Sequence, residues 1–416
     1  MKQNEKQKLI LIGSGMVGAR FLERLLKEAP DTFDIRVFNK EPNAAYNRIM
    51  LSPVLSGELS VPEIMTHDYD WFKKHAIHLH TGTAISEIDS RNKIVITDLG
   101  ASYAYDTLIV ATGSVPFIIP VPGAELPGLV SFRDIRDVNF MIDSAKDRQK
   151  AVVIGGGLLG LEAANGLISR GMDVTVVHRN EVLMNVQLDR VAGGLLKKSL
   201  EAKGMKFKMS ANTAEILGSE QVSGVKFTDG SIIDADLVVM AVGIKPNVSL
   251  GRRVGLEINR GILVNDQLQT SVNDIYALGE CVEHQGQLYG LVAPLYEQAQ
   301  VLAEHLVGKE AKYQGSAVST KLKVTGIHLF STGDFNDSPD TESLVYKDLT
   351  QNIYRKIVLK NNRIKGAVMF GDISSANWIF KQLAEQNDMS AYRDTLVFGE
   401  GFEPSTIQNK QKEKVA

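Results

Sequence analysis

Cysteine is nearly absent: the 416-residue chain holds one, Cys281, which excludes an intramolecular disulfide, a cysteine-ligated iron–sulfur cluster and a zinc ribbon, each of which needs several thiols. A lone thiol also points to a reducing compartment. Charge of one sign is not in excess, and a net charge of −3 leaves no electrostatic footprint for nucleic acid or an anionic membrane. Long apolar runs are missing too. No stretch approaches the ~18 apolar residues of a spanning helix. The first apolar segment is broken by Gly13 and Gly15 before it reaches the length of a secretory core, and strings such as Leu237 to Val242 are strand-sized. The composition therefore predicts a cytoplasmic, multidomain globular protein with no nucleic-acid and no membrane role.

What the chain does have is glycine placed with purpose. Gly13-Ser14-Gly15-Met16-Val17-Gly18 and Gly155-Gly156-Gly157-Leu158-Leu159-Gly160 repeat one design, each directly after a short apolar run, Leu9 to Ile12 and Ala151 to Ile154. Such a turn ends a strand tightly, brings backbone N–H groups against a pyrophosphate, and opens a helix whose positive end faces the anion. A helix from Met16 to Lys27 and a strand from Ile35 to Phe38 complete a βαβ unit around the first turn; a helix from Leu158 to Ser169 and a strand from Val174 to Val177 do so around the second. Two dinucleotides in one chain imply electrons passing from one to the other.

Each second strand should end beside a residue that reads the adenosine ribose. Glu41, just past Phe38, is placed to accept from ribose hydroxyls, against the alternative of a solvated loop acid. The second unit offers no acid there but His178-Arg179, a cationic pair suited to a 2′-phosphate, so NADH and NADPH both stay open. Glu162, in the opening of the helix after Gly160, is read as a first-turn acid and a polar contact near the nicotinamide. Hydride transfer needs positioning rather than an acid or base, so no catalytic dyad is expected. Four histidines, His67, His75, His78 and His80, are scattered around a short strand and read as surface residues, with no metal assigned.

Breakers between Pro116 and Pro127 mark a first junction, and the strand from Asp236 runs into Gly243, where the chain returns to the first domain. A helix from Asp189 to Lys203 ends at Gly204, a left-handed cap; another spans Ala299 to Val307. From Lys321 the pattern changes to strands (Leu322 to Thr325, Ile353 to Leu359, Gly366 to Phe370) and a helix from Ala376 to Gln386, where Trp378 and Phe380 read as core. The polar stretch Asn409 to Ala416 reads as a disordered tail.

Four motifs together resemble the two-dinucleotide flavoproteins that include glutathione-reductase-like and ferredoxin-reductase-like enzymes: Gly13 to Gly18, Thr107 to Gly113, Gly155 to Glu162, and Thr270 to Glu280. The resemblance implies an α/β fold of two Rossmann-like dinucleotide-binding domains, glutathione-reductase-like, plus a C-terminal α+β domain. It implies FAD on residues 1–118 and 247–320, NADH or NADPH on 119–246, an interface domain over 321–395, and a tail over 396–416. It carries FAD-contact roles onto Ala111, Thr112 and Gly113, and onto Gly279 and Glu280, where the family's usual aspartate is one carbon shorter. Gly243 joins the cofactor set. The helix opening at Ala293 and Pro294 would direct its N-terminal dipole at the flavin.

Within that family, Ala45 to Ser52, Gly155 to Glu162, Gly290 to Pro294 and Ser319 to Val324 look most like the FAD portion of assimilatory nitrite and nitrate reductases, which makes Arg48 an FAD contact. Pro53 stands where many ferredoxin reductases carry a lysine, so no lysine role transfers. The cysteine pair of disulfide reductases, and the single cysteine of their peroxide- and coenzyme-A-linked branch near Tyr46 to Leu51, are both missing; Cys281 is read as a packing residue. The chain also lacks the sirohaem and iron–sulfur portion. The resemblance therefore implies an FAD-dependent NAD(P)H oxidoreductase feeding a separate nitrite or nitrate reductase component, with a rubredoxin or ferredoxin reductase as the alternative and a homo-oligomer possible. A non-catalytic nucleotide-binding regulator is the alternative from another class, and four intact cofactor motifs weigh against it.

Overall fold

The computed structural model describes residues 6–316, 319–324 and 326–402. Its contacts divide the chain into two compact units: Met1–Phe117, Arg133–Val138 and Gly243–Ser316 in the first, and Ile118–Phe132, Asn139–Val242 and Ala317–Ala416 in the second.

The first unit is built on a parallel sheet of five strands in the order Ile275–Ala277, Thr107–Val110, Gln7–Ile12, Phe33–Asn39 and His78–Thr81. Leu9, Ile10, Leu11 and Ile12 are all buried, a continuous apolar run covered on both faces, as a central parallel strand requires. On one face the helices Met16–Glu28 and Val292–Leu306 pack against each other, and Phe21, Leu22 and Leu25 of the first enter the same cluster as Leu295, Ala299 and Leu302 of the second. The other face is closed by Ile85, Ile88 and Val95 from an antiparallel sheet, Ile85–Asp89, Ile94–Thr97 and Ser102–Ala104, together with Cys281 and Val282.

The second unit repeats the scheme with a parallel sheet ordered Leu129–Val130, Leu237–Met240, Lys150–Ile154, Asp173–Val177 and Lys206–Lys208. An antiparallel meander, Thr213–Gly218, Val222–Phe227 and Ile232–Asp234, covers it with Ile216, Val225 and Phe227. The same unit carries an antiparallel sheet ordered Ser319–Val324, Ile327–Gly333, Arg363–Phe370, Ile353–Lys360 and Glu342–Asp348, on which the helix Ala376–Ala384 packs. The architecture is α/β with a C-terminal α+β portion, as the motifs imply.

Several expectations shift in detail. The helix that the apolar pattern shows from Ala299 begins at Val292, within a residue of the Ala293-Pro294 opening that the resemblance implies, and Pro294 lies in its first turn, where a missing N–H is harmless. The helix Arg190–Glu201 is capped by Asp189, whose Oδ1 accepts from the Ala192 N–H at 2.9 Å, and Gly204 takes φ +90°, the left-handed stop foreseen for it. The contacts group the C-terminal sheet with the second unit instead of setting it apart, and Tyr354 of that sheet donates to Asp189 Oδ2 at 2.5 Å. Within the stretch read as a tail, Leu396 is buried and Arg355 donates to the carbonyl of Phe398 at 2.7 Å. Thr325 and the stretch Asn409 to Ala416 lie outside the described residues.

Candidate functional site

In the first unit the strand Gln7–Ile12 ends at Gly13, held at φ +107° with its N–H on the Phe38 carbonyl at 2.8 Å. A Cβ on Gly13 would lie 2.3 Å from the Ala111 carbonyl oxygen, and one on Gly18 the same distance from the Gly13 carbonyl, so both must be glycine for the turn to close. Gly15 differs. No described atom stands within 4 Å of its Cβ position, and the helix Met16–Glu28 that it opens has neither a side-chain cap among the described residues nor an acid in its first turn. N–H groups left in that way suit an anion. Ser14 is 1% exposed, and its Oγ has no hydrogen-bond partner among the described residues, an orphaned polar atom at the position that a bound pyrophosphate would satisfy.

Around this turn the other predicted positions converge. Glu41 is no solvated loop acid: the Tyr46 hydroxyl donates to it at 2.6 Å and the Arg48 guanidinium forms a short ion pair with it. Arg48 also donates to the Arg133 carbonyl at 2.8 Å and lies over the Tyr46 ring at 5.1 Å. Burial and the Glu41 carboxylate raise the Tyr46 hydroxyl far above its ordinary value, so it stays a donor. The Ala111-Thr112-Gly113 segment is tied down by the Ala111 N–H on the Ile12 carbonyl at 2.9 Å and the Thr112 hydroxyl on the Asn247 carbonyl at 2.8 Å. Gly279, at φ +93°, donates its N–H to Gln298 Oε1 at 2.9 Å, and a Cβ there would meet Val17. The Glu280 carboxylate is fastened by Arg133 at 2.5 Å and by the Ser114 hydroxyl at 2.6 Å. Ala293 and Pro294 sit in the first turn of Val292–Leu306, which holds no acid.

Arg133, Ser114, Tyr46 and Gln298 hold the predicted positions in place, and the sequence did not reveal them in that role. Arg133 stands 147 positions from Glu280, and no local pattern links the two. Cys281 is fully buried, its Sγ donates to the Leu278 carbonyl at 3.3 Å, and burial pushes the thiol up; it is a packing residue, as read. Two of the four histidines are packing residues rather than surface ones: His67 is buried with Nε2 3.0 Å from Glu23, and His80 stacks on Phe38 at 4.7 Å.

In the second unit Gly155 takes φ +127° with its N–H on the Val177 carbonyl at 2.8 Å, and a Cβ would lie 2.2 Å from the Ala241 carbonyl oxygen. A Cβ on Gly160 would lie 1.9 Å from the Gly155 carbonyl, and around Gly157 no described atom stands within 4 Å. The helix Leu158–Ser169 opens there with Leu159 exposed. Glu162 is the fifth residue of that helix and lies beyond its first turn, so the dipole favours it less than the sequence reading holds. His178 is not a cation presented to the ligand: its Nδ1 accepts the Gly156 N–H at 3.1 Å, and burial holds the ring below its ordinary value. Arg179 is exposed and makes no ion pair among the described residues. Gly243, at φ +123°, belongs to the first unit, where its carbonyl accepts from the Phe117 N–H at 2.9 Å.

A parallel sheet, a glycine turn and an uncapped helix in each unit define a protein that holds two dinucleotides. The comparisons with known proteins agree with that class. The model of the family described as pyridine nucleotide-disulphide oxidoreductase matches residues 7–304, and that of the rubredoxin NAD+ reductase C-terminal domain matches 319–387. The chain is 51% identical over 386 residues to the NAD(P)H nitrite reductase of Bacillus subtilis, covering 92% of this chain and 48% of that protein. It is 44% identical to the assimilatory nitrate reductase electron transfer subunit of the same organism, covering 94% of this chain and 51% of the relative. Against the NADH:rubredoxin oxidoreductase of Clostridium acetobutylicum it is 28% identical in the solved structure, with a TM-score of 0.79 and coverage of 98% and 100% of the two chains. The chain thus belongs to the pyridine nucleotide-disulphide oxidoreductase family, and it is an FAD-dependent oxidoreductase that uses NAD(P)H. It spans about half the length of the nitrite and nitrate relatives it matches.

Proposed function

We propose that the chain is an electron-input component that takes reducing equivalents from NADH or NADPH and passes them to a separate nitrite or nitrate reductase component. The observation that carries this reading is the 51% identity to an NAD(P)H nitrite reductase, confined to about half of that relative. When bound, FAD supplies the conversion between the two-electron chemistry of a pyridine nucleotide and the redox chemistry of a protein acceptor.

The residues of the chain bind and orient. Gly13, Gly15 and Gly18, with Ser14 and the N–H groups at Met16 and Val17, would hold the FAD pyrophosphate; the orphaned Ser14 Oγ and the open space at Gly15 fit such a group. Glu41, its oxygens already engaged by Tyr46 and Arg48, has lone pairs left for ribose hydroxyls and is held in place by those donors. Glu280, fixed by Arg133 and Ser114, would take the ribityl side, with Ala111, Thr112, Gly113 and Gly279 lining the approach. The first turn of the Val292–Leu306 helix would favour negative charge beside it. Gly155, Gly157, Leu158, Leu159 and Gly160 would hold the nicotinamide nucleotide, with Arg179 the exposed cation near its ribose end. The single cysteine is buried, and a second thiol is missing from the sequence, so no sulfur relay operates within the chain.

Residues 1–118 and 247–320 would serve FAD, 119–246 the nicotinamide nucleotide, and 321–395 an interface with the acceptor or a second copy. The setting would be cytoplasmic; among the described residues no helix is long and apolar enough to cross a membrane. A second reading, a rubredoxin or ferredoxin reductase, is favoured by the match of the chain to 92% of the Clostridium acetobutylicum NADH-rubredoxin oxidoreductase at 32% identity. The deciding experiment is a reconstituted assay of NADH- and NADPH-driven electron transfer to a nitrite reductase component, a rubredoxin and a ferredoxin. Faster transfer to the nitrite reductase component is expected; transfer to rubredoxin alone would move the conclusion to the second reading.

A further inference from the structure

Gly156, which stands between Gly155 and Gly157 in the second turn, has both of its backbone groups occupied. Its N–H donates to His178 Nδ1 at 3.1 Å, and its carbonyl accepts from the Met184 N–H at 2.9 Å. A Cβ on Gly156 would stand 2.7 Å from His178 Cγ and 2.8 Å from Leu183 Cδ2, so the imidazole and the following loop lie directly on the turn. An Nδ1 that accepts must be unprotonated, which places the ring proton on Nε2, 3.3 Å from Asn185 Oδ1. Met184 takes φ +50° to reach Gly156, and it is buried.

We propose that neutral His178 is the positioning residue of the second turn: by accepting the Gly156 N–H it fixes the peptide that precedes Gly157, and protonation of Nδ1 in acid loosens nicotinamide-nucleotide binding. This rests on the reading of the second turn as the nicotinamide site. A protonated ring has no acceptor for the Gly156 N–H, which is then left without its partner. The charged groups around the ring do not compensate. Arg179, beside it in the chain, disfavours a second positive charge. Lys208 comes from the adjacent strand, its backbone carbonyl accepting the His178 N–H at 2.9 Å, and its ammonium is paired with Asp229 at 3.1 Å. On the following loop and helix Glu181 is paired with Arg190 at 3.0 Å. Burial is the largest influence on the ring and keeps it neutral at physiological pH, against the smaller opposing pull of Asn185 and the Val182 backbone.

The test uses the full chain with oxidised FAD and measures the equilibrium dissociation constant of NAD+ and of NADP+, which cannot reduce the flavin, by fluorescence titration from neutral to acid pH. Loss of one backbone hydrogen bond predicts a rise of roughly fivefold as pH falls through the His178 titration, and saturating turnover with an artificial acceptor stays nearly unchanged. His178→Asn keeps an acceptor near Nδ1 without a titration, and its dissociation constant should stay flat. His178→Phe covers Gly156 without an acceptor, and its binding should be weak at every pH. Nitrogen-15 shifts of the wild-type histidines should show His178 as the Nε2–H tautomer at neutral pH, a readout independent of nucleotide. The inference is overturned by an Nδ1–H tautomer, by an acid rise that persists in His178→Asn, or by tighter binding on acidification. A protein that binds neither nucleotide at any pH overturns the nicotinamide reading as well, whereas pH-independent binding overturns the inference alone.

Discussion

The two glycine turns reach the same backbone shape and are closed by different means. In both, the first glycine has positive φ and lies against an alanine carbonyl, Ala111 or Ala241; the last lies against the carbonyl of the first; and the middle one faces open space. They part at the second position. Ser14 leaves a buried hydroxyl without a partner, whereas Gly156 has its N–H and carbonyl taken by His178 and Met184. At that position the first turn presents a buried polar atom to a ligand and the second satisfies its own groups, while both helices that follow lack a side-chain cap among the described residues.

The sharpest way to break the comparison is to destroy one turn at a time. Gly18→Val and Gly160→Val each force a side chain into a backbone carbonyl that cannot retreat, at a cost of about 3 kcal/mol. The first should give colourless protein and the second yellow protein that binds no nucleotide, read by visible absorbance and NADH titration. The reverse pattern would exchange the assigned ligands. Next in size is Arg133→Ala, which strips the Glu280 carboxylate of its cation and leaves Ser114; a loss of ~2 kcal/mol in thermal or denaturant unfolding is expected, with flavin retention falling in parallel.

Gly15→Ala and Gly157→Ala sharpen the comparison because the protein itself leaves room for either methyl group. Stability should move by no more than ~0.5 kcal/mol, while flavin retention in one variant and nucleotide affinity in the other fall about tenfold. Equal loss of stability in the two would show that the open space is structural. The smallest effect belongs to Asp229, whose carboxyl is lowered to about 2 by Ser231 and by Lys208 on the strand beside His178. Its folded value lies below the unfolded one, so its contribution is complete above the ordinary aspartate range and fades as pH falls through about 2. Asp229→Asn should melt slightly below wild type at neutral pH and converge with it in strong acid.

Both βαβ units were legible because the signals are contiguous. An apolar run, glycines at fixed spacing and an amphipathic helix leave little choice of local structure. The antiparallel meander from Thr213 to Asp234 was not read, since short strands with one covered face carry a weak alternation, and neither was the helix Ile135–Asp147. Glu41 and Glu280 were found as acids, but Tyr46, Arg48, Ser114 and Arg133, which hold them, could not be matched to them from spacing. At His178 residue type misled: a basic side chain where an acid was expected read as a phosphate partner, and its neighbour across the turn makes it an acceptor instead.

By itself the sequence determined that this chain has two dinucleotide turns and no sulfur relay, because glycine sterics and a cysteine count need no knowledge of distant contacts. Only the tertiary structure decided how each turn is finished and which cations hold the acids. Those partners lie from a few residues to more than a hundred apart along the chain, and they meet only once the sheets have set their positions.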